Sequence, residues 1–189
     1  MRLPALRLPG MRLRGWILLG LGAVALGLAA RAWFTGRAEP DRESAPADTI
    51  AGVRSVTLWF ASPDGDSLIA EARELPEQSE MHARAAALVA ALAEGPRQGG
   101  VRTLPQGTEL LHAYMDPAGV LTLDLSRPFR QGFDGGARAE ELVLASLVRT
   151  LSANVPEARR IRVVCGGVAL ASLGGHFPLD RPLDPSDWP

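Results

Sequence analysis

The chain has 189 residues, 47% of them hydrophobic, a formal net charge of −1 and a single cysteine. That length accommodates one folded domain and a targeting segment, and one cysteine excludes an intramolecular disulfide. All 20 basic residues are arginine, but residues 1–38 hold six of them and no acid, leaving 14 against 21 acidic residues, a formal −7, in a body that argues against nucleic-acid binding.

Trp16 to Ala30 is uninterrupted apolar sequence, preceded by four arginines and followed by Arg31, Trp33 and Phe34. Spanning a bilayer takes about 20 apolar residues, so this run spans if Arg31 snorkels and the aromatic residues sit at the interface. The asymmetry of arginine predicts a cytoplasmic basic segment at 1–14, a transmembrane signal-anchor at 15–34, and the remainder outside the cytoplasm. The alternative is a secreted protein released by cleavage near Ala32, because Ala30-Arg31-Ala32 has a small-x-small pattern. Residues 35–52, rich in Ala, Pro, Asp and Glu with no apolar period, read as a linker.

The folded domain is predicted over 53–183, followed by a tail at 184–189. Val53 to Phe60 alternates as a strand, with Val56, Leu58 and Phe60 on one face and Ser55, Thr57 and Trp59 on the other. Ser62-Pro63-Asp64-Gly65-Asp66 makes a turn, and Leu68 to Leu75 a second extended segment paired with the first. Met81, Ala85, Leu88, Val89 and Leu92 form one helical stripe, which stops at Gly95-Pro96. A turn at Leu104-Pro105-Gln106-Gly107-Thr108 feeds a hairpin, Glu109 to Met115 and Val120 to Leu125, joined by Asp116-Pro117-Ala118-Gly119. After a loop from Arg127 to Gly136, Glu140, Leu144, Leu147, Val148, Leu151 and Val155 mark a second helix, Ala137 to Asn154, ended by Pro156. Arg160 to Cys165 is a strand, turned by Gly166-Gly167 into a short segment from Val168 to Leu173. The order β-β-α-β-β-α-β predicts an α+β fold: a single two-layer domain with a mixed, mostly antiparallel sheet and two helices on one face.

Three pieces of this pattern, AALAEGP, LPQGTELL and GVLTLDLS with Phe129 shortly after, resemble the GerMN domain of sporulation and spore germination. Arg149-Thr150-Leu151 and the strand into Gly166-Gly167 extend the resemblance to about Val53 to Leu183; it lies in the order and spacing of the motifs more than in any one of them. The resemblance implies a non-enzymatic, membrane-tethered binding domain of the bacterial cell envelope, since relatives are associated with sporulation and germination apparatus and with envelope lipoproteins linked to signalling. The chain departs from better-known members in having no lipobox cysteine and one copy of the domain, so a role in sporulation does not follow. A secreted or anchored hydrolase acting on cell-wall or peptide substrates is the alternative.

The chemistry-bearing residues point away from that alternative. Cys165 ends an apolar strand and reads as a buried thiol, not as the nucleophile of a dyad with His176. His82, His112 and His176 lack metal-ligand spacing. Asp64-Gly65-Asp66 lacks the third acid and closing glutamate of a calcium loop. Gly99-Gly100 and Gly135-Gly136 stand in no phosphate-binding pattern, and Asp124 and Ser126 have no nucleophile elbow around them. No residue is therefore assigned to catalysis, to a metal or to a cofactor.

Strand alternation supplies one candidate surface. If the helices cover Val56, Leu58, Phe60, Leu111, Leu121, Leu123, Ile161 and Val163, the opposite sheet face carries Thr57, Trp59, His112, Tyr114, Thr122, Asp124 and Arg162. Antiparallel sheets commonly leave one face wet, so this surface is either simply solvated or a docking site for an envelope protein or a glycan such as peptidoglycan. Trp, Tyr and Arg are the residue types that dominate interface hot spots.

Overall fold

Strand β1, Val53–Ala61, pairs antiparallel with β2, Leu68–Pro76, in the computed structural model, which describes residues 52–188. Helix α1, Met81–Glu94, follows, then β3, Leu110–Met115, and β4, Val120–Leu125. A single turn of helix, α2, Pro128–Gln131, precedes the long α3, Ala137–Asn154. Strand β5, Arg160–Cys165, the two-residue β6, Val168–Ala169, and a 3₁₀ turn, Pro185–Asp187, complete the order. The predicted transmembrane segment at 15–34, the basic segment before it and most of the linker lie outside the described residues. Among the described residues no helix is long and apolar enough to cross a membrane.

The α+β class holds, but the single sheet does not. β1 and β2 form a two-stranded sheet, while β3-β4-β5-β6 form a separate four-stranded one, antiparallel except for the parallel pair β4–β5. The reason is what meets the second edge of β1. Asn154 donates from Nδ2 to the Thr57 carbonyl (2.8 Å) and accepts the Thr57 N–H on Oδ1 (3.1 Å). Thr150 Oγ1 accepts the Trp59 N–H (3.1 Å), and Ser146 Oγ donates to the Trp59 carbonyl (2.5 Å). The Ser146 hydrogen is thus spent, so Thr103 Oγ1, 2.6 Å away, is the donor to Ser146. Two residues further on, Ala61 exchanges both backbone bonds with Val101. A polar stripe of α3 therefore occupies the edge where a neighbouring strand would pair.

Both sheets and both long helices share one core. Leu58, Phe60, Leu88, Leu92, Leu123, Val163, Leu147 and Leu151 are all buried within it. Leu111, expected there, is 40% exposed, because a bulge between Leu110 and His112 breaks the alternation and Leu110 packs on the core in its place.

Charges enter this core from β2. Glu71 and Arg73 lie opposite Leu58 and Val56 and are about as buried as they are, at 5% exposure each. Arg73 pairs with Glu71 and donates to the carbonyls of Ala91 (3.2 Å) and Gly95 (2.9 Å), which lie at the C-terminal end of α1 and would otherwise lack partners. Glu71 Oε2 accepts the N–H groups of Arg97 (2.8 Å) and Gln98 (2.9 Å) beyond that end. Gly95, at φ 99, makes the reversal that a side chain would strain.

Two substitutions separate packing from edge closure. Leu151→Ala should cost about 2–5 kcal/mol through lost transfer energy and a cavity. Asn154→Leu keeps the side-chain size but strips the Thr57 N–H and carbonyl of their partners, and should cost about 2 kcal/mol or more. Urea denaturation measures both; an unchanged midpoint for Asn154→Leu would mean the Asn154 bonds to β1 contribute nothing.

Candidate functional site

The open face of the four-stranded sheet is built by alternation on three adjacent strands. His112 lies opposite Asp124, and Tyr114 opposite Thr122, which in turn pairs with Arg162. Their inward neighbours Leu121, Leu123, Ile161 and Val163 are buried, which fixes these five side chains on the other side. His112, Tyr114 and Arg162 are exposed, Tyr114 to 64%, while Thr122 and Asp124 are half-buried between them. Arg162 forms no ion pair among the described residues, whereas Asp124 Oδ1 accepts the Gly167 N–H at 2.9 Å. Asp124 therefore holds the β5–β6 turn as well as contributing polarity to the face.

Thr57 and Trp59 do not belong to this face. They sit on β1, in the other sheet, and their backbone groups are spent on α3. The Trp59 ring lies under the guanidinium of Arg149, 4.3 Å from its centroid, a cation–π contact along the same helix. The grouping of Trp59 with Tyr114 and Arg162 depended on one continuous sheet, and it fails with that sheet.

The sequence motifs meet at the end of β4. Ser126 Oγ accepts the Glu109 N–H (2.9 Å) and donates to the Gly107 carbonyl (3.3 Å), and the Ser126 and Glu109 backbones bond at 2.8 Å. Thr108 closes the preceding turn by donating from Oγ1 to the Pro105 carbonyl at 2.7 Å, with Gly107 at φ 79. The Leu-Pro-x-Gly-Thr turn and the Asp-Leu-Ser strand end are thus two halves of one hydrogen-bonded joint. Ser126 is a residue of that joint. Cys165 is buried and donates its thiol to the Ser126 carbonyl at 3.5 Å.

His176 faces a different partner. Its Nδ1 lies 3.0 Å from Oε2 of Glu140, a carboxylate fully buried in the first turn of α3. Glu140 also accepts the N–H groups of Leu173 (3.0 Å) and His176 (2.9 Å). Burial opposes its charge, but the amides of Gly174 and His176, the His176 ring and the Leu173 amide outweigh burial and hold the carboxyl below its ordinary 4.5. Glu71 follows the same logic: burial pushes it up, and Arg73 with the Arg97 and Gln98 amides pulls it further down. Neither was identified from the sequence as a buried charge: Glu140 was read only as a member of the helical stripe, and Glu71 shares a strand face with Ile69 and Leu75. Asp64 turns its carboxylate to Ser62 Oγ and the Asp66 N–H. Among the described residues no three His, Cys, Asp or Glu side chains gather in a group that could hold a metal ion.

An α+β domain with one open sheet face and a joint between a Pro-x-Gly-Thr turn and an Asp-Leu-Ser strand end is a recognisable class. The family profile for sporulation and spore germination domains (Germane) matches residues 57–171, and the chain belongs to that family. The fold is similar to that of a Clostridium perfringens protein assigned as a lipoprotein, at 24% identity and TM-score 0.51 over 72% of this chain and 90% of the other. It is also similar to the first GerMN domain of the sporulation protein GerM from Bacillus subtilis, at 17% identity and TM-score 0.54 over 72% of this chain and 99% of that domain. The tandem GerMN domains of the same protein match at 17% identity and TM-score 0.60, again over 72% of this chain, which spans 48% of the tandem structure. No curated protein sequence matches the chain.

The buried carboxylates set a pH dependence. The unfolded chain protonates Glu140 near 4.5 and the folded chain only at lower pH, so its stabilisation is complete above the unfolded value and is lost as pH falls below it through the folded one. Glu71 acts in the same direction. Unfolding free energy measured against pH should therefore fall below about pH 4.5, and Glu140→Gln should be less stable at neutral pH and show a shallower acid limb. Parallel curves for the two proteins would contradict this role.

Proposed function

We propose that this protein is a non-catalytic binding module of the bacterial envelope, held outside the cytoplasm by its N-terminal apolar segment. It docks an envelope protein or a glycan strand through the face formed by His112, Tyr114, Thr122, Asp124 and Arg162. The observation that carries the reading is the exposure of Tyr114 and Arg162 in one cross-strand row, without a third layer from the described residues over them. Aromatic and arginine side chains of this kind supply most of the energy of protein interfaces. The family and the Clostridium perfringens lipoprotein with the same fold support an envelope setting. Against a hydrolase stands the employment of the reactive side chains: Ser126 and Cys165 serve the β4 joint, and His176 and Glu140 serve the C-terminal loop.

Two measurements test this. A phosphatase fused after Gly52 should be active, since that enzyme matures only outside the cytoplasm; activity of a cytoplasmic reporter at the same position would contradict the orientation. In native-membrane cross-linking and in sedimentation with purified sacculi, Tyr114→Ala with Arg162→Ala should weaken capture about tenfold or more, the loss expected for hot-spot residues. Unchanged capture by a normally folded double variant would remove the face from consideration.

A further inference from the structure

Strand β2 has one paired edge and one open edge. The backbone groups of Thr57 and Trp59 point at α3, so Ala72 and Ala70, which face them in the β1–β2 register, form non-hydrogen-bonded pairs with them. In such pairs both residues aim their N–H and C=O groups away from each other, and Ala70 and Ala72 therefore aim theirs outward from the sheet. Glu74, opposite Ser55, continues the alternation. Among the described residues β1 is the sole strand partner of β2, and no turn or loop backbone bond reaches Ala70, Ala72 or Glu74. All three residues are exposed, and the two alanines are too short to cover their own backbone.

Free edges are commonly blunted by lysine, proline, a bulge or inward charges. The register of β2 with β1 has no bulge, its sequence has no lysine, and its proline is the last residue. What β2 does have is two inward charges, Glu71 and Arg73, flanked on the same face by Ile69 and Leu75. The inward row reads apolar, acid, base, apolar, and that order is self-complementary when the strand runs antiparallel to a copy of itself. With Ala72 facing Ala72, Ile69 faces Leu75 and Glu71 faces Arg73, each match occurring twice. A shift of the pairing by two residues in either direction sets Glu71 against Glu71 or Arg73 against Arg73. Opposite charges directly across a strand pair stabilise it and like charges destabilise it, so the inward pair that repels other strands admits a second copy in one register. On the outward side Ala72 meets Ala72 and Ala70 meets Glu74, with no bulk to hold the backbones apart.

We propose that β2 is the contact through which two copies of this chain pair, antiparallel about a two-fold axis at Ala72, joining their two-stranded sheets into one continuous sheet. The interface is isologous and closes at the dimer. It lies on the other sheet from the Tyr114–Arg162 row, so either surface can fail without the other.

The test is disulfide formation in the full chain under mild oxidation. Hydrogen-bonded pairs of an antiparallel ladder stand about 5.5 Å apart between Cα atoms, inside the span of roughly 4.4–6.8 Å that disulfides bridge, so Ala72→Cys should cross-link to a second copy. Ala70→Cys alone should not, because Ala70 faces Glu74 across the pair, whereas Ala70→Cys combined with Glu74→Cys should. Cys165 is buried and common to all three variants. Ala72→Pro removes an N–H that β1 does not use, so in the background of the double variant it should abolish the cross-link and leave the unfolding midpoint in place. A cross-link by Ala72→Cys no faster than by Ala70→Cys, a link from Ala72→Cys to a different protein in place of a second copy, or a link that survives Ala72→Pro in a folded chain would each overturn the proposal. The comparison of Ala72→Cys with Ala70→Cys decides the matter even if Ala72→Pro lowers the midpoint.

Discussion

Strand β1 has hydrogen-bonding groups along two edges, and α3 closes the one that β2 leaves free. The match is metric. Helix residues four apart advance about 6 Å along the axis, and strand residues two apart advance about 6.6–6.8 Å, so a helical stripe can follow a strand edge for a few residues before drifting out of step. Asn154 serves Thr57, and Thr150 and Ser146 serve Trp59, the helix running against the strand. By Ala61 the task passes to the Val101 backbone. An open edge is a template for aggregation; here the edge is closed by the helix that also contributes Leu144, Leu147 and Leu151 to the core.

That arrangement determines what is left for binding. With β1 committed to α3, the four-stranded sheet stands apart, and its outward side chains come from β3, β4 and β5. The charges inside the domain are structural by the same accounting. Glu71 and Arg73 satisfy the end of α1 and the loop beyond it, and Glu140 satisfies the amides of 173–176. Each is buried and hydrogen-bonded, as a charge in an apolar core must be. Removing one partner would strand the other, which makes these pairs fixed points of the loops around them.

The elements themselves were legible because their signals are local. The stripe at Met81, Ala85, Leu88 and Leu92, the Gly95-Pro96 stop and the second helix from Ala137 to Asn154 stand where periodicity puts them. The Leu-Pro-x-Gly-Thr turn and the Asp-Leu-Ser strand end were visible as two separate family motifs, and it is the structure that joins them through Ser126. What was not legible was pairing. Nothing in Val53 to Phe60 says that its second neighbour is a helix, although Ser146, Thr150 and Asn154 at successive intervals of four form an unusual run of short polar side chains inside an apolar helix. The same blindness put Trp59 and Thr57 on the wrong surface. Leu111 was misplaced by a bulge, which shifts alternation without any glycine or proline to announce it. Glu71 and Arg73 were unremarkable in sequence because their burial depends on register with β1.

The most direct measurement of this account is amide hydrogen exchange at Thr57 and Trp59. If α3 closes the β1 edge, both amides exchange as slowly as those of the buried helical core, and Thr150→Val speeds exchange at Trp59 more than at Thr57. Rapid exchange of both in the intact protein, at the rate of unprotected strand-edge amides, would contradict it.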